Sequence, residues 1–464
     1  MTVPYWVEDA IFYQIFPDRF ANGDPAHIFP GTRPWDEPPS ISGFQGGDLR
    51  GIIEKFDYLL DLGINAIYLN PIFQATSNHR YNITDYFKID PKLGEMRDFK
   101  ALLDLAHSNG VRVILDGVFN HCGRGFFAFN DLLENQEESF YKDWFHVNQY
   151  PVQAYSNGQA EDYWGWWGYK SLPKINTSTP AVKRYLLSIG RYWIEQGADG
   201  WRLDVPNEID DDDFWQEFRQ VVKSVNPDAY LVGEIWDINP RWVGERTFDG
   251  LMNYPVRDAL LQWLNGKIKP AQFDAEIQKI LTIYPRENVY SMYLPLGSHD
   301  TERLWTILNG DLAKVKLAFL FQFTFPGSPA IYYGDEIGLE GGKDPACRRT
   351  FPWEPGRWRL DLRQWVKKLV QLRKTRPGLR RGDFQQVWLN DMRGCYAFGR
   401  SLGEEKILVV MNVSPTRRNL RLPVTALGWL DGRIIHSLVE PGDYIVSGDV
   451  LPVSLPPWSG LILG

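Results

Sequence analysis

The segment GADGWRLDV (197–205) decides the fold of this 464-residue chain. It follows an amphipathic helical stretch, VKRYLLSIGRYWIEQG, and joins a glycine suited to a helix end to a short strand that finishes in Arg202 and Asp204. The strand is a continuous apolar run, which is typical of a parallel sheet covered by helices. The segment therefore predicts a βα unit with polar side chains at the carboxyl end of its strand.

The same unit recurs along the chain. KFDYLLDLG precedes the apolar run 64–73, and FKALLDLAHSNG precedes the run 111–120. Gly63, Gly110 and Gly197 stand where a helix C-terminus favours a left-handed residue. Such units predict an α/β fold, a (β/α)₈ barrel with strands at 9–17, 64–72, 111–118, 199–205, 229–236, 249–254, 290–298 and 328–334. The alternative is an open doubly wound sheet, but no GxGxxG motif follows the first strand.

Two segments depart from this pattern. Residues 121–179 are rich in aromatic residues, Asn and Gly, and predict an insertion after the third strand. From residue 384 the pattern alternates, as in QVWLND, CYAFGRS and KILVVMNVS, which predicts an antiparallel β domain. The expected domains are the barrel (1–120 and 180–380), the insertion (121–179) and a C-terminal β-sandwich (381–464).

Composition excludes several classes of protein. A net charge of −8 with no long basic run argues against nucleic-acid binding. No apolar run reaches the roughly 18 residues of a membrane span. The N-terminus has no cationic region before an apolar stretch, so we expect no signal peptide. The three cysteines suit a reducing compartment, and we therefore expect a cytoplasmic protein.

Polar side chains at strand ends form the active sites of such barrels. Asp204, Glu234 and Asp300 follow the fourth, fifth and seventh strands. Two carboxyl groups facing one glycosidic bond, one ionised and one protonated, are the minimum for glycoside hydrolysis. Arg202 lies two residues before Asp204, faces the same way and is expected to keep it charged. The apolar neighbours of Glu234 are expected to raise its pKa.

His121 and His299 also stand at strand ends, near Asn70, Asp116 and Asn120. Their rings suit hydrogen bonds to sugar hydroxyls, and the alternatives are metal ligation or a purely structural role. No HExxH motif or cysteine partner accompanies them, which argues against a catalytic zinc.

Four segments together resemble the four short sequence regions of the α-amylase family, glycoside hydrolase family 13, in the same order: DGVFNH (116–121), GWRLDVPNE (200–208), GEIW (233–236) and SHD (298–300). Further segments resemble the neopullulanase, cyclomaltodextrinase and maltogenic amylase group: YQIFPDRF (13–20), SNHRYNITDY (77–86), LPKIN (172–176) and DPACRRTFPW (344–353). The resemblance implies retaining cleavage of α-1,4 bonds, with α-1,6 bonds as a further option, in maltooligosaccharides, cyclodextrins or pullulan.

The resemblance also implies residue roles. Asp204 would be the nucleophile, Glu234 the general acid/base, and Asp300 would hold ring hydroxyls of the reacting glucose. Retention places the first two carboxyl groups roughly 5–5.5 Å apart. The other substrate-binding positions would be Tyr81, His121, Arg202, His299, Asp344 and Arg348. In this family the insertion walls the cleft, so its aromatic cluster either stacks on sugar or packs the insertion: Trp164, Trp166, Trp167 and Tyr169.

A calcium site is a weaker implication of the resemblance. Four residues match part of the group's N-terminal calcium loop: Asn22, Asp24, Gly46 and Asp48. His27 and Ile28 stand where the group often has Asn and Asp, and Ile28 offers no side-chain oxygen to a cation that takes six to eight of them. We expect no required cofactor, with structural calcium as an option.

The group's N-terminal β domain is expected to be absent, because the first strand begins near residue 9. This leaves open whether the chain forms the homodimer of that group. The domain organisation of the chain looks closer to that of a debranching enzyme of cyanobacteria. Two other functions stay open: a glucanotransferase, in which a sugar resolves the glycosyl-enzyme, and a non-catalytic carbohydrate-binding protein.

Overall fold

Eight parallel strands form one sheet in the computed structural model, which describes residues 3–23 and 29–464. In chain order the strands are Phe12–Ile15, Ala66–Leu69, Arg112–Gly117, Gly200–Leu203, Tyr230–Gly233, Gly250–Leu251, Tyr293–Pro295 and Ser328–Tyr332. The first strand pairs with both the second and the eighth. A parallel bridge between Met252 and Tyr293 joins the sixth strand to the seventh. The ring of strands is therefore closed, and the predicted barrel is confirmed.

Helices cover the outside of the barrel. The longer ones are Met96–Ser108, Pro180–Glu195, Asp212–Val225, Tyr254–Leu264, Pro270–Ile283, Leu312–Thr324 and Leu360–Thr375. Shorter helices are Pro17–Phe20, Leu49–Glu54, Phe56–Leu62, Arg286–Tyr290, Leu304–Ile307 and Pro377–Arg381. Within the described ranges, none of the helices is long and apolar enough to cross a bilayer.

Left-handed glycines end the helices where the sequence predicted them. Gly63 has φ +88° and follows the helix Phe56–Leu62, where its N–H donates to Leu59 O at 3.1 Å. Gly110 and Gly197 also have positive φ. These glycines let the chain turn directly from each helix into the next strand.

A hairpin that the sequence pattern did not predict follows the second barrel strand. It pairs Phe73–Ala75 with Ile83–Ile89, and its turn carries Arg80 and Tyr81. The guanidinium of Arg80 is buried, donates to Asp90 at 3.0 Å and forms an ion pair with it. This buried pair fixes the turn over the carboxyl ends of the strands.

The insertion, residues 121–179, has little regular structure. It contains the helix Phe127–Asn135 and the 3₁₀ turns Gln136–Glu138, Lys142–Trp144 and Trp166–Gly168. Isolated bridges such as His121 to Lys174 tie its two ends together. The insertion therefore begins and ends next to the third barrel strand.

The C-terminal region is antiparallel, as predicted. A four-stranded sheet contains Asp383–Asn390, Cys395–Leu402, Glu405–Asn412 and Ser459–Leu463. Two smaller sheets pair Arg418–Pro423 with Val450–Leu455, and Ile434–His436 with Asp443–Ile445. An apolar cluster that includes Trp429, Leu408 and Leu451 forms its own core.

Candidate active site

Four carboxylates meet at the carboxyl rim of the barrel. Asp116 is the next-to-last residue of the third strand, Asp204 follows the fourth, Glu234 the fifth and Asp300 the seventh. Asp116, Asp204 and Glu234 are buried. The parallel ladder sets Asp116 opposite Arg202 and Leu203 opposite Gly233, one residue before Asp204 and Glu234 respectively. Parallel pairing of neighbouring strands thus gathers side chains that are far apart in sequence.

Arg202 holds three of these carboxylates together. Its Nη1 donates to Asp204 Oδ1 at 2.9 Å and to Asp116 Oδ1 at 2.8 Å. Its Nη2 forms an ion pair with Glu234 Oε1 at 2.8 Å. The guanidinium is buried beneath the carboxylates, so it positions them rather than reaching a sugar.

Glu234 has the environment of a general acid. Burial raises the pKa of Glu234 to about 7, although Arg202 opposes this shift. Its Oε2 accepts the backbone N–H of Val205 at 3.0 Å, and Val205 holds φ at +35°. Left-handed backbone is uncommon for a β-branched residue. The backbone is therefore strained at Val205, the residue that links Asp204 to the hydrogen bond with Glu234.

Burial also raises the pKa of Asp204 well above its usual range. Arg202 acts against this shift, but Glu234, Asp116 and Asp300 add to it. The expectation that Arg202 keeps Asp204 charged is therefore incomplete, because one guanidinium serves three carboxylates. Asp204 ionises most easily when a neighbour, such as Glu234, holds a proton.

Asp300 differs from the other carboxylates because basic side chains surround it. Burial opposes its ionisation, but His299, Arg348 and Arg202 together hold the pKa of Asp300 below its usual value. Arg348 Nη2 donates to Asp300 Oδ1 at 3.2 Å, and Arg348 Nη1 pairs with Asp344 Oδ1 at 3.1 Å. Asp300 is thus an ionised acceptor that suits sugar hydroxyls.

Tyr81 and His299 form a stacked pair of rings next to Asp300. Their rings are stacked, with centroids 5.5 Å apart and planes 7° apart. Tyr81 OH also donates to Asp116 Oδ2 at 2.8 Å. Burial lowers the pKa of His299 to about 3, so its ring is neutral at pH 7. A flat ring that is fixed by hydrogen bonds suits stacking against a pyranose.

His121 is a buried histidine just after the third barrel strand. Its ring is buried, and its Nε2 has no partner among the described residues. Burial lowers the pKa of His121 to about 3, so the ring is neutral. Its Nδ1 lies 3.3 Å from the amide nitrogen of Asn120. A neutral imidazole that accepts from Asn120 at Nδ1 carries its proton on Nε2, which solvent does not reach in this structure.

Some residues at the site escaped the sequence analysis. His79 packs against Tyr81, and its Nδ1 accepts the backbone N–H of Tyr81 at 3.1 Å. Trp236 stacks on Tyr254 with centroids 3.8 Å apart and is 43% exposed. His79 lies within the SNHRYNITDY segment and Trp236 within GEIW, so their nearness to Tyr81 and Glu234 in sequence was the available signal.

The calcium site stays a prediction. Asp24, His27 and Ile28 lie outside the described residues. Asp48 Oδ1 accepts the N–H groups of Gly23 and Gly51, and so caps the helix Leu49–Glu54. Across the described part of the chain, including His121 and His299, no cluster of three or more His, Cys, Asp or Glu side chains is arranged to hold a metal ion.

This closed barrel, with its buried carboxylate cluster, matches the model of the α-amylase catalytic domain over residues 14–377. The chain belongs to the α-amylase family of glycoside hydrolases.

Individual relatives refine this assignment. A cyclomaltodextrinase of Geobacillus thermopakistaniensis is 45% identical over 99% of this chain and 77% of its own length. The solved debranching enzyme of Nostoc punctiforme is 41% identical, covers 100% of this chain and 99% of its own, and has a TM-score of 0.91. A cyclic α-maltosyl-(1→6)-maltose hydrolase of Arthrobacter globiformis is 38% identical, with 100% of both chains covered and a TM-score of 0.91.

The pKa of Glu234 predicts where activity declines. The general acid must carry its proton, so kcat/KM on maltooligosaccharides should fall as pH rises above about 7. The acid limb, set by Asp204, should lie above the ordinary pKa of an aspartate. A kcat/KM profile from pH 4 to pH 10 checks both limbs, and a plateau reaching about pH 9 would contradict the assignment of Glu234.

Trp167 is the ring of the insertion best placed to meet a sugar. Trp166 stacks on both His121 and Trp167, whereas Trp167 is 73% exposed. Trp167→Ala should raise KM for maltooligosaccharides about two- to tenfold, the effect of one aromatic contact. Phe140→Ala, which removes a 94% exposed ring elsewhere in the insertion, is the control. Equal KM values for the two variants would exclude stacking by Trp167.

Proposed function

We propose that this protein hydrolyses α-glucosidic bonds with retention of anomeric configuration. The observation that carries this proposal is the arrangement of Asp204 and Glu234. They follow neighbouring strands and both pair with the guanidinium of Arg202. Burial raises the pKa of both carboxyl groups. A buried pair with one proton between them supplies both the nucleophile and the acid that a retaining glycosidase needs.

In the first step the Asp204 carboxylate attacks the anomeric carbon. The bond to the glycosidic oxygen breaks, and that oxygen takes the proton of Glu234. In the second step the Glu234 carboxylate removes a proton from water, whose oxygen attacks the same carbon and releases the Asp204 carboxylate. Asp300, bound to Arg348, would hold hydroxyls of the reacting glucose, and His121 Nε2 would donate to another.

The substrates that we propose are maltooligosaccharides, cyclodextrins and pullulan, with cleavage of α-1,4 bonds and also of α-1,6 bonds. The names of the relatives support this range, because they include a cyclomaltodextrinase, a debranching enzyme and a hydrolase of a cyclic (1→6)-linked maltose.

One experiment separates these substrates and the competing functions. The pure protein is incubated with β-cyclodextrin and with pullulan, and products are identified as panose, isopanose, maltose or maltotriose. Panose would show α-1,4 cleavage of pullulan, and maltotriose would show α-1,6 cleavage. Products longer than the substrate at high maltooligosaccharide concentration would favour a glucanotransferase. Inactivity on every α-glucan, with binding retained, would favour a non-catalytic binder.

We also propose a cytoplasmic location, supported by three buried cysteines that are all free. The calcium site and the homodimer are tested by separate measurements. Thermal unfolding with calcium chloride and with EDTA tests the calcium site, because an ion bound only to the folded state raises Tm. Light scattering during gel filtration tests the homodimer.

A further inference from the structure

A pocket of about 190 Å³ lies on the outside of the barrel, where the C-terminal region packs against two barrel helices. We call it the flank pocket. The helices Leu312–Thr324 and Leu360–Thr375 supply one side of it, and residues from the segments 437–440 and 458–462 supply the other. The pocket beside Arg348 at the active site is smaller, about 90 Å³, and shares no residue with the flank pocket. The flank pocket is therefore separate from the active site.

The flank pocket lies toward the end of the barrel that carries the active site. In a (β/α)₈ barrel each helix runs opposite to the strand before it, so it begins near the rim at which the strands end. Lys316 and Leu317 lie in the second turn of the helix Leu312–Thr324, and Trp365 lies in the second turn of Leu360–Thr375. A polymer long enough to leave the active-site cleft over this rim could therefore reach the flank pocket.

Two half-buried tryptophans line the flank pocket, and both rings are held in place. Trp365 Nε1 donates to the carbonyl oxygen of Lys316 at 3.0 Å. The ammonium group of Lys314, which does not line the pocket, lies 4.6 Å from the ring centre of Trp458. This cation covers one face of the Trp458 ring and leaves the rest of the ring to the pocket. Flat rings that are already fixed provide apolar contact with little loss of side-chain entropy.

Trp458 holds a backbone conformation that is costly for a large side chain. Its φ is +48°, in the left-handed region that favours glycine. Its backbone N–H donates to Ser414 O at 3.1 Å, which helps to fix the turn. Strained backbone of this kind clusters at sites that bind ligands, where the surrounding structure holds it. The chain carries a ring at a position where glycine would relieve strain, which points to a use for the ring.

Polar groups stand beside the two rings. Glu440 is exposed, and its carboxylate oxygens accept hydrogen bonds. Lys316 forms only a long ion pair with Asp361, at 3.8 Å, so its ammonium group keeps donors for a further partner. Ser437 adds a hydroxyl group. Apolar rings flanked by donors and acceptors match a sugar, which has apolar faces and hydroxyl groups around its edge. The carboxylate of Glu440 disfavours ligands that carry phosphate groups.

The floor of the flank pocket is closely packed. Gly460 lies so near the helix Leu312–Thr324 that a Cβ atom at this position would stand 2.7 Å from the side chain of Leu320 and 3.3 Å from that of Leu317. Leu317, Leu320 and Ile462 are all buried. The shape of the pocket is therefore set before a ligand binds, as is usual for small-molecule sites.

We propose that the flank pocket is a second binding site for α-glucan chains, with Trp365 and Trp458 as stacking surfaces and Glu440 as a hydrogen-bond acceptor. The choice of an α-glucan as the ligand rests on the proposed function, and the flank pocket takes no part in bond cleavage. A polymer that occupies the pocket and the cleft together is held more tightly than at the cleft alone, because the second contact becomes intramolecular. A short oligosaccharide cannot span both sites and gains nothing.

The test measures binding to a polymer apart from catalysis. Each variant is combined with Asp204→Asn, so that the polymer is not consumed, and its apparent Kd for soluble amylopectin is measured from retardation in native gels. Trp458→Gly removes the ring and suits the left-handed backbone, and it should raise the apparent Kd about two- to tenfold. Glu440→Ala, an exposed change, should raise it by a similar factor. Leu430→Ala, which trims a 75% exposed side chain of the C-terminal region, should leave it unchanged.

Turnover of maltotriose separates a binding site from a structural role. In the chain that keeps Asp204, Trp458→Gly and Glu440→Ala should both retain the wild-type kcat/KM on maltotriose, which is too short to span the two sites. The proposal is overturned if neither variant weakens amylopectin binding while keeping this turnover, or if amylopectin does not retard the Asp204→Asn parent. Inactivity of wild type on every α-glucan would instead overturn the proposed function, and the gel measurement would still decide on the flank pocket.

Discussion

Asp204→Asn should lower kcat on maltooligosaccharides by roughly 10⁴- to 10⁶-fold, the range seen when a covalent nucleophile is removed. The amide keeps the size of the side chain but cannot form the glycosyl ester at the same rate. Asp204 lies against Arg202 and next to Glu234 at the buried end of the cleft, so no other described carboxylate can take its place without moving Arg202. Initial rates of reducing-sugar release measure the loss.

The fold should survive this change. Asp204 is one of four carboxylates that share the arginines of the site, and Glu234, Asp116 and Asp300 all raise its pKa. Replacing it with a neutral amide removes like-charge repulsion, so we expect Tm not to fall. Asp237→Asn, an exposed change three residues after Glu234, is the matched control and should keep wild-type kcat. Retention of a tenth of wild-type activity by Asp204→Asn would refute its role.

The barrel was predictable because its signal is repeated. Each helix, glycine and apolar run is a separate instance of the same βα unit, so an error in one leaves the others intact. All eight strands were located, but their ends were placed too far along the chain. The fourth, expected at 199–205, spans Gly200–Leu203, because Val205 adopts left-handed backbone and leaves the ladder. Apolar character continued past the last strand residue, and the pattern could not show this turn.

The carboxylates of the site were predictable from strand ends, but the way they share a cation was not. The spacing of Arg202 and Asp204 predicts that the two side chains face the same way. It contains no information on Asp116 and Glu234, which reach Arg202 from neighbouring strands. That Arg202 serves three carboxylates follows from the packing of the ring, and so does the raised pKa of Asp204.

Residues on loops were the hardest to place. The turn that carries Tyr81 packs on His299, which is 218 residues away in sequence. The loop at residues 40–43 depends on Asn78 in the same way, because Asn78 donates hydrogen bonds to the carbonyl oxygens of Ser40 and Gly43. Such contacts depend on the closure of the barrel and not on local periodicity, which is why the motifs located Tyr81 but not its neighbours.

Glu234→Gln should separate the two halves of the mechanism. On maltooligosaccharides kcat/KM should fall on the order of 10²- to 10⁴-fold, the contribution of general acid catalysis. On α-maltosyl fluoride kcat/KM should change by less than about tenfold, because fluoride departs without a proton. The buried environment that raises the pKa of Glu234 to about 7 is needed only when the leaving oxygen must be protonated.

The pH dependence should change together with the rate. For wild type acting on the fluoride, the decline of kcat/KM above about pH 7 should disappear, since the protonated form of Glu234 is no longer required. Asp204→Asn should be inactive on both substrates, because both need the nucleophile. If Glu234→Gln lost activity equally on the fluoride and on maltooligosaccharides, Glu234 would be holding the substrate or Asp204 in place, and the proton would have to come from another group.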